Sequence, residues 1–311
     1  MKMQYAAVAG MALSAFLAVN PAISAPAPDI GGIPAQMVVT VLPTAHGSAP
    51  ANLEPGDLTV MQGNARVPVV RLERLAGNMA GMQLFVLLDD STRSASLGLQ
   101  LPELKTFLQS LPASTSVAIG YMRNGTFGLT QPFTADHQKA VAALRLPTAI
   151  PGENGSPYFA LSDLVNHWPS KQATARRAVL MLTDGVDRYY SAAIEDDPYV
   201  DAAVHDALKH GVMVYAIYLR GSGLYGRGGW VTNIAQSRLI EVCEKTGGYA
   251  YFQDFTDPVT ISPFLNDFED RLDNQYQVTF QALNEKGVQP VKLRTELPGV
   301  KVQGPTRVYV R

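Results

Sequence analysis

Two stretches decide how this chain folds: Leu84-Phe85-Val86-Leu87-Leu88-Asp89-Asp90-Ser91-Thr92-Arg93-Ser94 and Leu180-Met181-Leu182-Thr183-Asp184-Gly185. Each is an apolar run without alternation that stops abruptly at carboxylates and hydroxyls. A strand that is apolar on both sides is covered on both sides, as in a parallel sheet. Similar runs occupy Ser116 to Tyr121, Val212 to Leu219 and, more briefly, Tyr249 to Phe252. Between the runs, helix-like periodicity covers Pro102 to Leu111, Ala135 to Leu144, Tyr158 to Trp168, Asp197 to His210 and Asn233 to Thr246. Ser156-Pro157 supplies an N-cap and a first helical residue, and Gly211 and Gly247 supply stops. Strands alternating with helices predict an α/β class with a doubly wound, mostly parallel sheet.

Outside this region the pattern is β. Strands are expected over Met37 to Leu42, Leu58 to Met61 and Pro68 to Leu72, with a turn at Gln62-Gly63-Asn64. A helix opened by Ser262-Pro263 follows the α/β region. Beyond it, strands are expected over Tyr276 to Ala282, Val291 to Leu297 and Val300 to Val310. Neither flank is large enough to close a core alone, so residues 36–80 and 275–311 are expected to pair into a smaller β-sandwich-like unit. The expected division is a signal peptide at 1–27, an N-terminal β segment at 36–80, the α/β domain at 81–256, and a helix with C-terminal β segment at 257–311.

In open α/β sheets ligands bind beyond the carboxyl ends of the strands, so the residues directly after each run are the candidates for chemistry. The family pattern of a strand ending in Asp-x-Ser-x-Ser, a Thr or Ser in a later loop before a helix, and a strand ending in Thr-Asp-Gly is what these residues resemble: the metal-ion-dependent adhesion site of von Willebrand factor A domains. The resemblance spans about Gln83 to Phe255, and the flanks resemble those of exported bacterial members of that family. It implies that Asp89, Ser91, Ser156 and Asp184 hold Mg²⁺ or another divalent cation, a hard ion suited to oxygen ligands. It also implies a protein partner met at the rim of the sheet. This chain departs from the motif at Arg93, where the family has a second serine, because a guanidinium cannot ligate a cation. Three outcomes follow. Asp90, Thr92 and Ser94 serve in a one-residue shift; or Arg93 turns to solvent; or Arg93 replaces the metal as an ion-pair partner of Asp89 or Asp184. Asp90, Arg93, Tyr225, Arg227 and Trp230 are the candidate partner contacts on the same rim.

The bulk properties limit the alternatives. Hydrophobic residues make up 47% of the chain and charged ones 17%, which argues for packed cores and against disorder. A net charge of −2 with scattered basic residues supplies no field for nucleic acid. Lys2, an apolar stretch from about Tyr5 to Val19, and small residues through Ala27 follow the pattern of a secretory signal, too short to span a bilayer comfortably. The chain is therefore expected to be exported, periplasmic or secreted, touching a membrane only transiently. The single Cys243 lies in an apolar-periodic stretch and reads as a buried small hydrophobe. Gly221-Ser222-Gly223-Leu224-Tyr225-Gly226 matches a dinucleotide pattern but no helix begins inside it, so no nucleotide is expected. The carboxylates Asp187, Glu195, Asp196 and Asp197 read as a solvated loop, or as a Ca²⁺ site. The leading reading is a non-enzymatic binding or adhesion module. A metal-dependent hydrolase at Asp89, Asp90 and Asp184, or a structural subunit of an envelope complex, are the alternatives.

Overall fold

The computed structural model describes residues 32–44, 52–150, 155–172, 176–190, 196–220, 228–283 and 285–311. The expected signal segment, the glycine-rich run at 221–226 with Tyr225, and Arg227 and Glu195 lie outside the described residues.

The N-terminal flank contributes β1 (Ile33–Pro43), β2 (Leu58–Gln62), β3 (Ala65–Val67) and β4 (Val69–Arg74). The α/β region then runs β5 (Met82–Asp89), α1 (Ser94–Ser110), β6 (Thr115–Arg123), β7 (Thr126–Thr134), α2 (His137–Ala142), α3 (Pro157–Asn166), β8 (Arg176–Thr183), α4 (Pro198–His210), β9 (Val212–Tyr218), α5 (Gly229–Thr246) and β10 (Ala250–Tyr251). Helix α6 (Ser262–Asp273) leads into β11 (Gln275–Ala282), β12 (Gly287–Thr295), β13 (Val300–Gln303) and β14 (Arg307–Val310).

The central sheet has six strands in the order β10-β9-β8-β5-β6-β7, parallel except for β7 at one edge. Its middle strand shows why the apolar runs lack alternation. Leu84, Val86 and Leu88 pack under α1, α2 and α6 on one face, while Phe85 and Leu87 pack under α3, α4 and α5 on the other. All five are fully buried, and each contributes about 1.5–3 kcal/mol. The chain leaves β5 toward β6 on one side and returns as β8 on the other. The carboxyl ends of β5 and β8 therefore flank the switch point where open sheets form their crevice.

The flanks pair as expected of a sandwich. Sheet β13-β1-β11-β4 faces sheet β14-β12-β2-β3, and their common core joins Met37, Val39 and Val41 to Val60, Val278, Phe280, Val291 and Val308. This unit sits at the amino-terminal edge of the central sheet. Arg176, at the start of β8, donates to the Leu272 carbonyl at 2.8 Å and the Gln275 side chain at 2.6 Å. Gln303 donates to the Gly248 carbonyl just before β10. The carboxyl edge is left free of the sandwich.

Four sequence expectations need correction. Helix α1 begins at Ser94 rather than Pro102, so Pro102 lies inside it. Leu97 and Leu101 are buried ahead of the proline, and their burial offsets the roughly 3 kcal/mol that an interior proline costs. Strand β7 has no counterpart in the expectations because its residues are mostly exposed and include Gly128 and Pro132, a composition tolerated only at a sheet edge. Helix α5 begins one turn earlier than Asn233. The expected strand over Val300 to Val310 is broken at Gly304-Pro305, and its halves join different sheets.

Candidate functional site

Asp89 is the last residue of β5 and is 1% exposed. Its Oδ1 accepts from the Ser91 amide at 2.9 Å and the Ser91 hydroxyl at 2.8 Å. Its Oδ2 accepts from the Thr183 hydroxyl at the end of β8, at 3.0 Å. Burial pushes the Asp89 carboxyl up to about 6, and the nearby Asp184 carboxylate adds to the rise. Near neutral pH this buried group is therefore mostly ionised, and its charge needs compensation.

The compensating charge comes from an arginine not singled out in the sequence. Arg188, four residues after Asp184, donates from Nη2 to Asp184 Oδ2 at 2.7 Å. Their side chains are only 14% and 6% exposed. The same guanidinium donates from Nη1 to the Val186 carbonyl at 3.2 Å and acts on Asp89 and Asp187 through its charge. Its backbone amide donates to the Gly155 carbonyl at 2.6 Å, tying the loop after β8 to the loop before α3. The other oxygen of Asp184 accepts from the Val186 amide at 2.9 Å.

Ser156 caps α3 as expected, accepting from the Phe159 amide at 3.2 Å. Its hydroxyl proton goes to Asp187 Oδ2 at 2.6 Å. Asp187 is 3% exposed, and its other oxygen accepts from the Tyr189 and Tyr190 amides. Asp197 is also buried. It caps α4 through the Tyr199 amide and forms an ion pair with Arg238 at 3.1 Å, their side chains 1% and 5% exposed. The expectation that Asp187 and Asp197 belong to a solvated loop is thus wrong. Both carboxylates are drawn inward because each has backbone amides and a partner side chain to satisfy it.

The other expected residues are placed as follows. Arg93 is the N-cap residue of α1 and partly exposed; its carbonyl accepts from the Leu97 amide at 3.1 Å, and its guanidinium makes no hydrogen bond or ion pair with the described residues. The expected pairing of Arg93 with Asp89 or Asp184 is therefore corrected: Arg188 fills that role, because its loop folds back over the strand ends whereas Arg93 already starts a helix. The one-residue shift is also excluded by the geometry. Asp90 is 3% exposed and accepts from Arg145 Nη1 at 2.5 Å and from the Thr148 amide at 2.9 Å. Although burial acts in the opposite sense, these bonds hold the Asp90 carboxyl below its ordinary value. Thr92 donates to the Asp89 carbonyl at 2.5 Å, and Ser94 is exposed. Asp90 thus braces the rim from inside, its carboxylate committed to Arg145 and Thr148. Trp230 lies in the first turn of α5, 59% exposed.

Measured against a divalent cation, the donor set does not fit. Asp184 gives both oxygens to protein donors, Ser156 is committed to Asp187 and to its own helix, and a guanidinium already lies between the loops. Among the described residues no group of three His, Cys, Asp or Glu side chains is arranged to hold a metal ion. Around this network stand aromatic rings that the sequence reading did not single out. Phe159 meets Tyr189 and Tyr199 at 6.4 and 5.6 Å, and Tyr199 meets Tyr189 and Tyr190, each at 6.4 Å, all edge to face. The Tyr189 ring lies so close over Gly155 that a Cβ there would come within 1.9 Å of it. Phe159 is 47% and Tyr189 50% exposed.

No protein-family model and no curated protein matches the sequence. Solved structures with similar folds include an aerotolerance-related membrane protein from Bacteroides fragilis, 14% identical, covering 62% of this chain and 99% of its own, with a TM-score of 0.45. Proximal thread matrix protein 1 from the mussel byssus, solved with a zinc-occupied MIDAS motif, is 14% identical over 63% of this chain and 47% of its own, with a TM-score of 0.44. The VWA domain of SpRpn10 is 11% identical over 58% of this chain and 96% of its own, with a TM-score of 0.35. These identities are too low to carry a function across. The fold is von Willebrand factor A-like, as its strand order and the position of its strand-end carboxylates show directly.

Proposed function

We propose that this chain is an exported protein-binding module of the adhesion type, meeting its partner with the carboxyl-edge rim of the A-like region at 81–256, and that Arg188 holds that rim in place of a divalent cation. The carrying observation is the group of aromatic rings at the rim. Phe159 and Tyr189 stand half exposed, braced against Tyr199, above loops tied together by Arg188 and Asp187. Large rings on a rigid base suit a binding surface, because they bury much area at little entropic cost. Trp230 at the start of α5, with Phe252 and Phe255 after β10, extends the apolar character along the same edge. Export follows from the signal-like N-terminal segment. The alternative of a hydrolase at Asp89, Asp90 and Asp184 has less support, since Asp90 faces Arg145 and Thr148 and does not converge with the other two on one point.

The test is capture from an envelope extract by immobilised protein, comparing the wild type with Phe159→Ser, Tyr189→Ser and a control, Val70→Ser, on the exposed side of β4 in the sandwich. Partners lost in both rim variants and retained by the control are the expected result. Partners retained by both rim variants and lost with Val70→Ser would move the binding surface to the sandwich and refute the reading.

A further inference from the structure

Beside the acid network, on the β6–β7 side of the rim, lies a cavity of about 370 Å³ whose lining includes Asp90, Tyr121, Arg123, Phe127, Leu129 and Arg145. Its size falls within the range of small-ligand sites. Its floor is built with unusual care. The Arg145 guanidinium stacks over the Tyr121 ring at 3.8 Å. One of its nitrogens, Nη1, is fixed by Asp90 at 2.5 Å and by the Leu146 carbonyl at 2.9 Å. The Tyr121 hydroxyl donates to the Arg145 carbonyl and accepts from the Arg145 amide, clamping the backbone as well. The remaining guanidinium nitrogens, Nε and Nη2, make no hydrogen bond to the described residues.

Of the charged side chains that line the cavity, Asp90 offsets Arg145, while Arg123, exposed at the end of β6, has no ion-pair partner among the described residues. The Asp163 carboxylate of α3 is held at the wall, accepting from the Thr126 hydroxyl at 2.6 Å and the Phe127 amide at 3.3 Å. Phe127 and Leu129 supply apolar wall, and Asn124 and Thr130 supply polar groups. A guanidinium whose rotamers are already fixed loses little entropy on accepting a planar anion, and two donors in a fork match a carboxylate.

We infer that this cavity takes the carboxylate of an acidic side chain, a glutamate or aspartate of the protein partner, between Arg145 and Arg123. The inference rests on the rim being the binding face and adds the chemistry that the partner must present. Its apolar walls fit the methylene stem and the polar groups fit the flanking peptide amides. A free carboxylic acid offers the same anion without those amides, so the two sources are separable.

The experiment is an amide-resonance titration of the whole chain with three probes: the blocked tripeptide acetyl-Gly-Glu-Gly-amide, its glutamine analogue, and propionate. The glutamyl peptide is expected to shift resonances of residues 123–130 and of Arg145 saturably, at about millimolar affinity. The glutamine analogue is expected to leave them in place, and propionate to bind about tenfold more weakly. Arg123→Gln should weaken the glutamyl peptide about tenfold, as befits one charge-assisted bond, while Arg66→Gln on β3 should not. No shift at about 10 mM peptide, equal shifts with the glutamine analogue, or an unaffected Arg123→Gln would overturn the site. Equal binding of propionate would overturn the peptide source. Any of these alongside intact, aromatic-dependent partner capture would refute this inference alone and leave the binding rim standing.

Discussion

Arg188→Ala is expected to lower the stability of the folded chain by about 3–5 kcal/mol at neutral pH, the cost of leaving a buried ion partner unpaired. In a chain of this size that amounts to a fall in melting temperature on the order of 10 °C. The reasoning starts from the 2.7 Å bond between Arg188 and Asp184, whose side chains are both nearly buried, and from the effect of the same guanidinium on Asp89. Without it, two carboxylates at the ends of adjacent strands face each other in a poorly solvated crevice. The pH dependence follows in sign. Arg188 lowers the Asp89 pKa, so its removal raises that pKa further. The part of the penalty borne by Asp89 is then present above about pH 6 and is lost as the pH falls and the carboxyl takes up its proton. Thermal unfolding of wild type, Arg188→Ala and Arg188→Lys at pH 7.5 and pH 5 checks this. The lysine variant should recover part of the loss, because it restores charge without the fork. A melting temperature unchanged by Arg188→Ala at pH 7.5 would show that the ion pair bears no load.

Gly185→Ala is the second large effect. Gly185 has φ +67°, where an L-residue is strained by about 1 kcal/mol. A Cβ there would also meet Leu239 at 2.7 Å and the Ala235 carbonyl at 3.0 Å. Leu239, on the buried face of α5, is 1% exposed, so it has no room to retreat. Overpacking of this kind costs about 1–3 kcal/mol, giving a total of roughly 2–4 kcal/mol with the backbone strain. Displacing Gly185 also pulls its carbonyl from the Tyr158 hydroxyl, which donates to it at 2.9 Å from inside the core. The expected measurement is a lower midpoint in urea with an unchanged slope, because the fold is kept and only its stability falls. An unchanged midpoint would mean that this glycine does not press on α5, and the local packing described above would be wrong.

The parts of the fold legible in the sequence are those where one physical signal dominates. Buried parallel strands such as β5 and β8 have no polar face to confuse the pattern, and Ser156-Pro157 and Asp197-Pro198 mark their helices by cap chemistry. Strand β7 escaped because an edge strand needs neither burial nor β-branched residues. Yet Asn124-Gly125 between Arg123 and Thr126 is the two-residue hairpin signal that would have announced it. In the site, Asp89, Ser91, Thr183 and Asp184 are legible because they end or closely follow buried strands. Arg188 is not, since nothing in a loop residue's identity says whether it points outward or folds back. Its spacing of four from Asp184 was the available hint. The aromatic cluster was hidden for a similar reason, with Phe159, Tyr189 and Tyr199 drawn from three separate segments that only the tertiary fold brings together.

The central claim, that a guanidinium occupies the role of a metal at this rim, is tested most directly by calorimetric titration of Mg²⁺, Ca²⁺ and Mn²⁺ into the metal-stripped wild type. The account predicts no saturable heat at about millimolar ion and an unaltered melting temperature in chelator. Stoichiometric binding of any of the three ions, abolished by Asp184→Asn, would contradict it.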